Sequence, residues 1–190
     1  MLRAAPVTLA VGGICLLLAC VGESETGMLA WERGALQNGE LWRLWTGHLV
    51  HFSLSQALMD TLALVAMGLY AEPLVGSRRF ALILAAAADL LSLGMLVLAP
   101  GLGEYRGASG LATLTAVLAG VLAWRRHPQS RPALCCGALA LAAKTLWEAG
   151  AHVAAFTDLP PGVAVAWQAH LLGILLGAWA AAWIGRERAL

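Results

Sequence analysis

The sequence predicts an all-α, polytopic membrane protein that forms a bundle of six transmembrane helices. Three observations favour this class. Of the 190 residues, 60% are hydrophobic and 12% are charged, about half the charged share of a typical soluble domain. The mean hydropathy is +0.75, and one soluble core of this size cannot bury so much apolar surface. The apolar residues also lie in long unbroken runs, whereas transmembrane barrels alternate apolar and polar residues.

The same composition excludes a soluble enzyme, a disordered tail and a nucleic-acid binder. The formal net charge is only +1, which gives no basic or acidic surface for a charged partner. The four cysteines show neither a CxxC pair nor a spacing suited to zinc. We interpret them as small hydrophobic residues and expect no cofactor and no metal.

Six apolar segments follow one another along a single domain, 1–190, and each is near the ~20 residues that cross a bilayer. They cover about 6–21, 49–71, 80–99, 109–124, 133–156 and 163–184. The fourth, at about sixteen residues, is short for a span. Leu17-Leu18-Ala19-Cys20 is similar to a lipoprotein cleavage site. Since Cys20 would then anchor a chain with five further spans, we expect an uncleaved first helix.

Arginine placement predicts the orientation, because cytoplasmic loops carry an excess of Lys and Arg. Eight arginines fall at one face of the predicted bundle: Arg3, Arg78, Arg79, Arg125, Arg126, Arg131, Arg186 and Arg188. The other face carries fewer arginines and several acids: Arg33, Arg43, Arg106, Glu23, Glu25, Glu32, Glu40, Glu104 and Asp158. We therefore expect both termini in the cytoplasm. The long outer connection, 22–48, holds Trp31, Trp42 and Trp45, which suit the headgroup layer and indicate an ordered loop.

The fourth segment opens with Gly107-Ala108-Ser109-Gly110. A serine at a helix N-terminus lies at the positive end of the helix dipole, and free backbone N–H groups there can donate to an oxyanion. This pattern favours a nucleophile. The plainer interpretation is a serine that caps the helix between flexible glycines.

The sixth segment contains Ala169-His170-Leu171-Leu172-Gly173, followed by Gly177. Gly173 and Gly177 form a GxxxG pair, which lets a neighbouring helix approach closely, and His170 lies nearly one turn before that contact. The alternative is a histidine that is hydrogen-bonded for structure only.

Depth in the membrane brings the two motifs together. With Trp124 and Trp183 taken as markers of the inner interface, Ser109 lies about 22 Å and His170 about 20 Å above it. Both would then be sunk below the outer surface at one level. Because a serine needs a nearby base to become a nucleophile, we predict a Ser109–His170 pair.

With these motifs the sequence resembles the rhomboid family of intramembrane serine proteases. Residues 107–110 are similar to its GxSG nucleophile motif, and residues 169–177 to its AHxxGxxxG base motif. Trp42-Arg43 matches the WR pair of the first loop, and His51-Phe52-Ser53 opens the second helix as in many bacterial members. The resemblance implies the rhomboid fold, a Ser109–His170 dyad, transmembrane protein substrates and a place in the bacterial inner membrane. Its supporting residues are Gly107, Gly110, Gly173, Gly177, His51 and Asp60.

The small size and the stretch Glu104-Tyr105-Arg106-Gly107-Ala108-Ser109-Gly110 are similar to the rhombosortase branch. That resemblance implies secreted substrates whose C-terminal sorting tail has a Gly-Gly motif, a transmembrane helix and a basic end.

Two positions depart from the family pattern. Many rhomboids place a histidine and an asparagine on the second helix, aimed at the oxyanion, and the matching residues here are Gln56 and Asp60. The Gln56 amide can donate, so we expect it and the Ser109 backbone N–H to form the oxyanion hole. An ionised Asp60 cannot donate. It is expected to be a neutral acid, to turn away toward a backbone N–H or a cation, or to orient His170. Thr113 stands where relatives often have tyrosine.

Lys144, Glu148 and His152 recur every four residues and so share one face of the fifth helix. Either Lys144 and Glu148 neutralise each other inside the bundle, or the three form a polar wall near the substrate entrance. Asp89 is a further candidate partner for Lys144.

The sequence thus predicts peptide-bond hydrolysis near the outer face of the membrane. Two other functions stay open: a catalytically inactive rhomboid-like factor that binds membrane proteins, and a small transporter with Lys144, Glu148 and His152 as a proton relay.

Overall fold

The computed structural model describes residues 4–21, 26–157, 159–160 and 163–187. Eight α-helices lie in these ranges: α1 (Pro6–Ala19), α2 (Arg33–Gln37), α3 (Arg43–Thr46), α4 (Leu54–Val75), α5 (Ser77–Leu98), α6 (Ser109–Arg126), α7 (Arg131–Ala151) and α8 (Trp167–Glu187). Two short strands, β1 (Trp31–Glu32) and β2 (Glu104–Tyr105), pair antiparallel. Five residues of the charge argument lie outside the described residues: Arg3, Glu23, Glu25, Asp158 and Arg188.

Each of the six predicted apolar segments overlaps one of the helices α1 and α4 to α8, with ends that differ by up to five residues. Among the described residues, α4, α5 and residues 167–185 of α8 are long and apolar enough to cross a membrane, and α1 is a shorter apolar helix. The fourth segment is α6, which has 18 residues and begins at Ser109 as predicted, whereas α1 is shorter with 14 residues.

Helix α6 is the central element of the bundle. It packs most extensively against α8 and α4, and its buried apolar residues join one core with those of α4, α5 and α8. Leu114 and Leu118 of α6 are almost fully buried in that core. The residues at the start of α6 are therefore held by helices on several sides.

The N-terminus of α1 is capped by a distant carboxylate. Helix α1 has no side-chain cap of its own, and Glu72 of α4 accepts hydrogen bonds from the backbone N–H groups of Val7 and Thr8, at 3.1 and 2.7 Å. The Thr8 hydroxyl donates to the same carboxylate at 2.7 Å. Glu72 is fully buried, and these donors compensate for the loss of its hydration.

The long outer connection is folded over the described part of its length, 26–53. Its strand β1 pairs with β2, which immediately precedes the start of α6. The Arg33 guanidinium donates to the carbonyls of Leu96, Ala99 and Leu102, at 3.1, 2.8 and 3.0 Å. Because the last carbonyls of a helix have no partner within it, this arginine caps the end of α5 and fixes the loop to it.

The expectation that all three tryptophans of this loop lie in the headgroup layer is wrong for Trp31. Its side chain is completely buried, and its indole N–H donates to the Ser92 carbonyl of α5 at 3.3 Å. Trp42 and Trp45 are each 54% exposed and remain consistent with an interfacial position. Trp31 is therefore part of the scaffold that carries β2.

Candidate active site

A sharp turn at Gly107 delivers Ser109 to the start of α6. Gly107 has a φ of +136°, and its N–H donates to the Gly47 carbonyl of the outer loop at 3.1 Å. A Cβ at this position would lie 2.7 Å from Gln56 Nε2 and 3.0 Å from Asp60 Oδ2. Both the backbone conformation and the lack of space therefore require glycine here.

Ser109 does not cap its own helix. The N-cap residue of α6 is Ala108, whose own side chain makes no capping hydrogen bond. The plainer interpretation of the serine therefore does not account for its position. Ser109 is the first helical residue, and its side chain lines a cavity of about 240 Å³.

His170 lies in the first turn of α8 and lines the same cavity. His170 is buried, with only 5% of its surface exposed. The cavity is walled by residues of α4, α6, α7 and α8, by the β2 turn, and by the connection that follows α7. The two residues predicted to form a nucleophile–base pair thus line the same cavity.

Close packing of α6 on α8 brings the two motifs together. A Cβ on Gly173 would lie 2.5 Å from the Gly110 carbonyl oxygen, and a Cβ on Gly177 would lie 2.6 Å from the Leu114 carbonyl oxygen. A Cβ on Gly110 would in turn lie 3.3 Å from the Ala169 carbonyl oxygen. The contact predicted from the GxxxG pair is therefore backbone against backbone, and it lies directly beside Ser109 and His170.

A carboxylate that the sequence interpretation did not connect with the histidine holds its ring. Glu148 Oε2 lies 2.8 Å from His170 Nδ1, and the Lys144 ammonium donates to both Glu148 oxygens at 2.7 Å. The predicted Lys144–Glu148 pair is present. The four-residue spacing indicated a polar face of this helix, but which helix that face meets depends on tertiary packing.

Two other expectations for this polar face are not met. Asp89 accepts a hydrogen bond from the Trp45 indole at 2.5 Å, so its pairing with Lys144 is wrong. His152 is the C-cap of α7, in a left-handed conformation with φ of 58°, and its side chain is exposed. The helix ends before it can continue the Lys144–Glu148 face.

Gln56 and Asp60 both line the cavity from α4. The Gln56 amide is fixed at both ends: its oxygen accepts from the Phe52 N–H at 2.9 Å, and its nitrogen donates to the Arg106 carbonyl at 2.9 Å. The Ser53 hydroxyl caps α4 by accepting from the Gln56 N–H at 3.1 Å. An amide nitrogen carries two hydrogens, so one donor remains for a ligand in the cavity.

Asp60 faces the turn at Gly107 rather than the histidine of α8. Its Oδ2 lies 3.5 Å from His51 Nε2, and that nitrogen accepts a hydrogen bond from the Ala108 N–H at 3.3 Å. Glu148, not Asp60, is therefore the acid beside His170. His51 supports the turn that leads to Ser109, through this bond to the Ala108 N–H.

Tyr105 places a phenol beside the serine. Its hydroxyl donates to the Gly107 carbonyl at 2.6 Å. Burial, followed by the charge of Asp60, raises the pKa of Tyr105 above its ordinary value, and hydrogen bonds from the Ser109 side chain and the Gly110 backbone offset part of the rise. The phenol is therefore neutral, and its oxygen can accept a hydrogen bond from the Ser109 hydroxyl.

His48 supports that phenol from the outer loop. Its ring packs edge-on against the Tyr105 ring with centroids 5.4 Å apart, and its Nε2 lies 3.0 Å from the Ser92 hydroxyl. Burial lowers the pKa of His48 to about 4, so the ring is uncharged at neutral pH.

Comparison with known proteins identifies one family. The model of the Rhomboid domain matches residues 38–187, which is more than half of the chain and includes the whole cavity described above. No curated protein matches this chain.

The glycine contact predicts a sharp difference between two alanine substitutions. Gly173→Ala should slow the labelling of the protein by a fluorophosphonate at least about tenfold, because the new methyl group forces α6 away from α8. The matched control is Gly120→Ala on α6, where a Cβ meets nothing within 4 Å and labelling should stay unchanged. Equal labelling of the two variants would contradict the role of this contact.

Asp60→Asn should retain or increase cleavage at neutral pH, since asparagine is a permanent donor of similar shape beside the cavity. Asp89→Asn provides the same chemical change outside the cavity and should have no effect. Initial rates of substrate cleavage by the purified variants provide the measurement. A loss of about 10³-fold or more, as when a triad acid is replaced, would instead mean that the Asp60 charge is needed.

Proposed function

This chain belongs to the rhomboid family, and we propose that it is an intramembrane serine endopeptidase with Ser109 as nucleophile and His170 as base. Members of the family are typically intramembrane serine proteases, and the chain is a multi-pass, all-α membrane protein. One observation carries the proposal: Ser109 and His170 line one cavity at a backbone contact between α6 and α8.

The proposed reaction starts with attack of the Ser109 hydroxyl on the scissile carbonyl carbon, while the His170 ring takes the hydroxyl proton. His170 then gives this proton to the leaving amine as the peptide C–N bond breaks. In the second half of the reaction, His170 takes a proton from a water molecule as the water oxygen attacks the acyl carbon. His170 then gives this proton to the Ser109 oxygen as the ester C–O bond breaks, which restores the serine hydroxyl and the neutral ring and frees the new carboxyl terminus.

The developing oxyanion would be stabilised by donors that are already in position. The Ser109 N–H lies at the start of α6, where backbone N–H groups lack partners in the helix and the dipole is positive. Gln56 would supply the second donor from its clamped amide. Neither donor has to reorganise when the charge forms.

We propose that the substrates are membrane-anchored proteins of the rhombosortase type, with a C-terminal Gly-Gly motif, a transmembrane helix and a basic end. The support for this specificity is the segment 104–110, which is similar to that branch. A basic end would lie near the cytoplasmic surface, as in other membrane proteins.

For topology we propose a single domain of six spans in the bacterial inner membrane, with both termini in the cytoplasm. The turns at Gly76 and at residues 127–130 join antiparallel neighbours and carry the arginines Arg78, Arg79, Arg125, Arg126 and Arg131. Ser109 and His170 begin their helices at the opposite end, so cleavage would occur near the outer face.

The two alternative functions have less support. A binding factor without activity would not require the serine and the histidine to share a cavity. A proton relay would need Lys144, Glu148 and His152 in one path, whereas Glu148 contacts His170 and His152 is exposed at the helix end. Hydrolysis therefore remains the better account of the site.

Ser109→Ala and His170→Ala should each abolish covalent labelling by a fluorophosphonate while the protein still inserts and folds. The serine variant lacks the attacking oxygen, and the histidine variant lacks its base. Ser130→Ala, at the opposite end of the bundle, is the control and should be labelled like the wild type. In-gel fluorescence after detergent purification provides the measurement, and labelling of Ser109→Ala would refute the assignment.

The proposed specificity can be tested with a reporter that carries a Gly-Gly motif, a transmembrane helix and a basic end at its C-terminus. The wild type should release the reporter, and replacing Gly-Gly with Val-Val should slow release at least about tenfold, because two branched side chains would have to fit beside Ser109 where the proposed substrate has none. Equal cleavage of both reporters would exclude Gly-Gly specificity and leave the protease assignment intact.

A further inference from the structure

We propose that Glu148 is a positioning residue that completes a Ser109–His170–Glu148 triad by holding the His170 ring in the tautomer that catalysis needs. The inference rests on the proposed function of the dyad. It assigns to α7 a role in the chemistry that neither the family match nor the two sequence motifs contain.

The contact has the geometry of a charge-assisted hydrogen bond. Glu148 Oε2 lies 2.8 Å from His170 Nδ1, and both side chains are almost fully buried. With a carboxylate on one side, Nδ1 carries the hydrogen and Nε2 presents its lone pair. Nε2 is the nitrogen that must face Ser109 to take its proton.

The carboxylate is itself held in place. The Lys144 ammonium lies 2.7 Å from both oxygens, and the Ala155 N–H donates to Oε1 at 3.3 Å. Together with Nδ1 of His170, these donors approach the four hydrogen bonds that a carboxylate can accept. Lys144 lies 3.4 Å from Nδ1, but an ammonium cannot accept the hydrogen on that nitrogen, so both groups donate to Glu148.

Packing and charge neutralisation alone do not explain why Glu148 is buried. Of the 21 residues of α7, the two buried ones are Thr145 and Glu148. Lys144 is 26% exposed in its side chain, whereas that of Glu148 is 3% exposed. A buried carboxylate loses its hydration, and the single ammonium of Lys144 does not satisfy all of its lone pairs. The buried position gives Glu148 the His170 ring as a further donor.

The test compares Glu148→Gln with the same substitution at Glu72, the other carboxylate that is fully buried among the described residues of the helices. Glu72 caps α1 at a distance from the cavity and is not among the residues that line it. For each purified variant, the rate of labelling by a fluorophosphonate is measured against probe concentration. This separates the limiting rate from the half-saturating concentration.

Glu148→Gln should lower the limiting rate by about 10² to 10⁴-fold with little change in the half-saturating concentration, because the probe still binds but the base is misoriented. Glu148→Asp keeps the charge and should recover part of the loss, and Glu72→Gln should label like the wild type. A loss of less than about tenfold in folded Glu148→Gln, or an equal loss in Glu72→Gln, overturns the proposal.

A second measurement keeps the proposal falsifiable where a variant does not fold. In wild-type protein with ¹⁵N-labelled histidine, NMR should show the His170 hydrogen on Nδ1, strongly downfield, with the signal assigned by its loss in His170→Ala. A hydrogen on Nε2 overturns the proposal. A wild type that is never labelled at Ser109 but has the hydrogen on Nδ1 would refute the proposed protease function and leave the Glu148 contact standing.

Discussion

The backbone contact between α6 and α8 is the constraint on which the site depends. Gly110, Gly173 and Gly177 let the two helices approach very closely. Carbonyl oxygens of each helix occupy the space that a Cβ on the facing glycine would need. At ordinary helix separations of 8–10 Å, residues in the first turns of two helices face each other across intervening side chains. Here no such layer exists beside Ser109 and His170, so both residues line one cavity of about 240 Å³.

The outer loop provides the second constraint, because the start of α6 is reached through irregular backbone. Such backbone is stable inside a membrane protein only where the protein itself supplies its hydrogen-bond partners. The Arg33 guanidinium donates to carbonyls at the end of α5, and the Gly47 carbonyl accepts from the Gly107 N–H. Strand β1 provides the backbone partners of β2. Ser109 is consequently held by a folded loop on one side and by helices on the other.

The sequence predicted the positions of the long helices and the close contact between the two motifs, because both predictions depend on local information. Apolar runs identify buried helices, and a GxxxG pair beside a histidine indicates a close contact whatever helix makes it. The predictions that were wrong concern the contacts of individual side chains with other helices. Trp31 is in the core, and Asp89 binds Trp45 instead of Lys144. The spacing of Lys144 and Glu148 showed their shared face, but the rotation of α7 that turns this face to His170 is set by tertiary packing.

That rotation has a consequence for the whole helix. Since α7 buries only Thr145 and Glu148 along its length, the Glu148–His170 contact is a large part of what docks α7 at the cavity. The Ala155 N–H ties the following connection to the same carboxylate. The Glu148–His170 contact therefore both fastens α7 to α8 and orients the His170 ring. Any displacement of α7 would withdraw the Glu148 carboxylate from His170, so the ring keeps this orientation only while the cavity wall that α7 forms is in place.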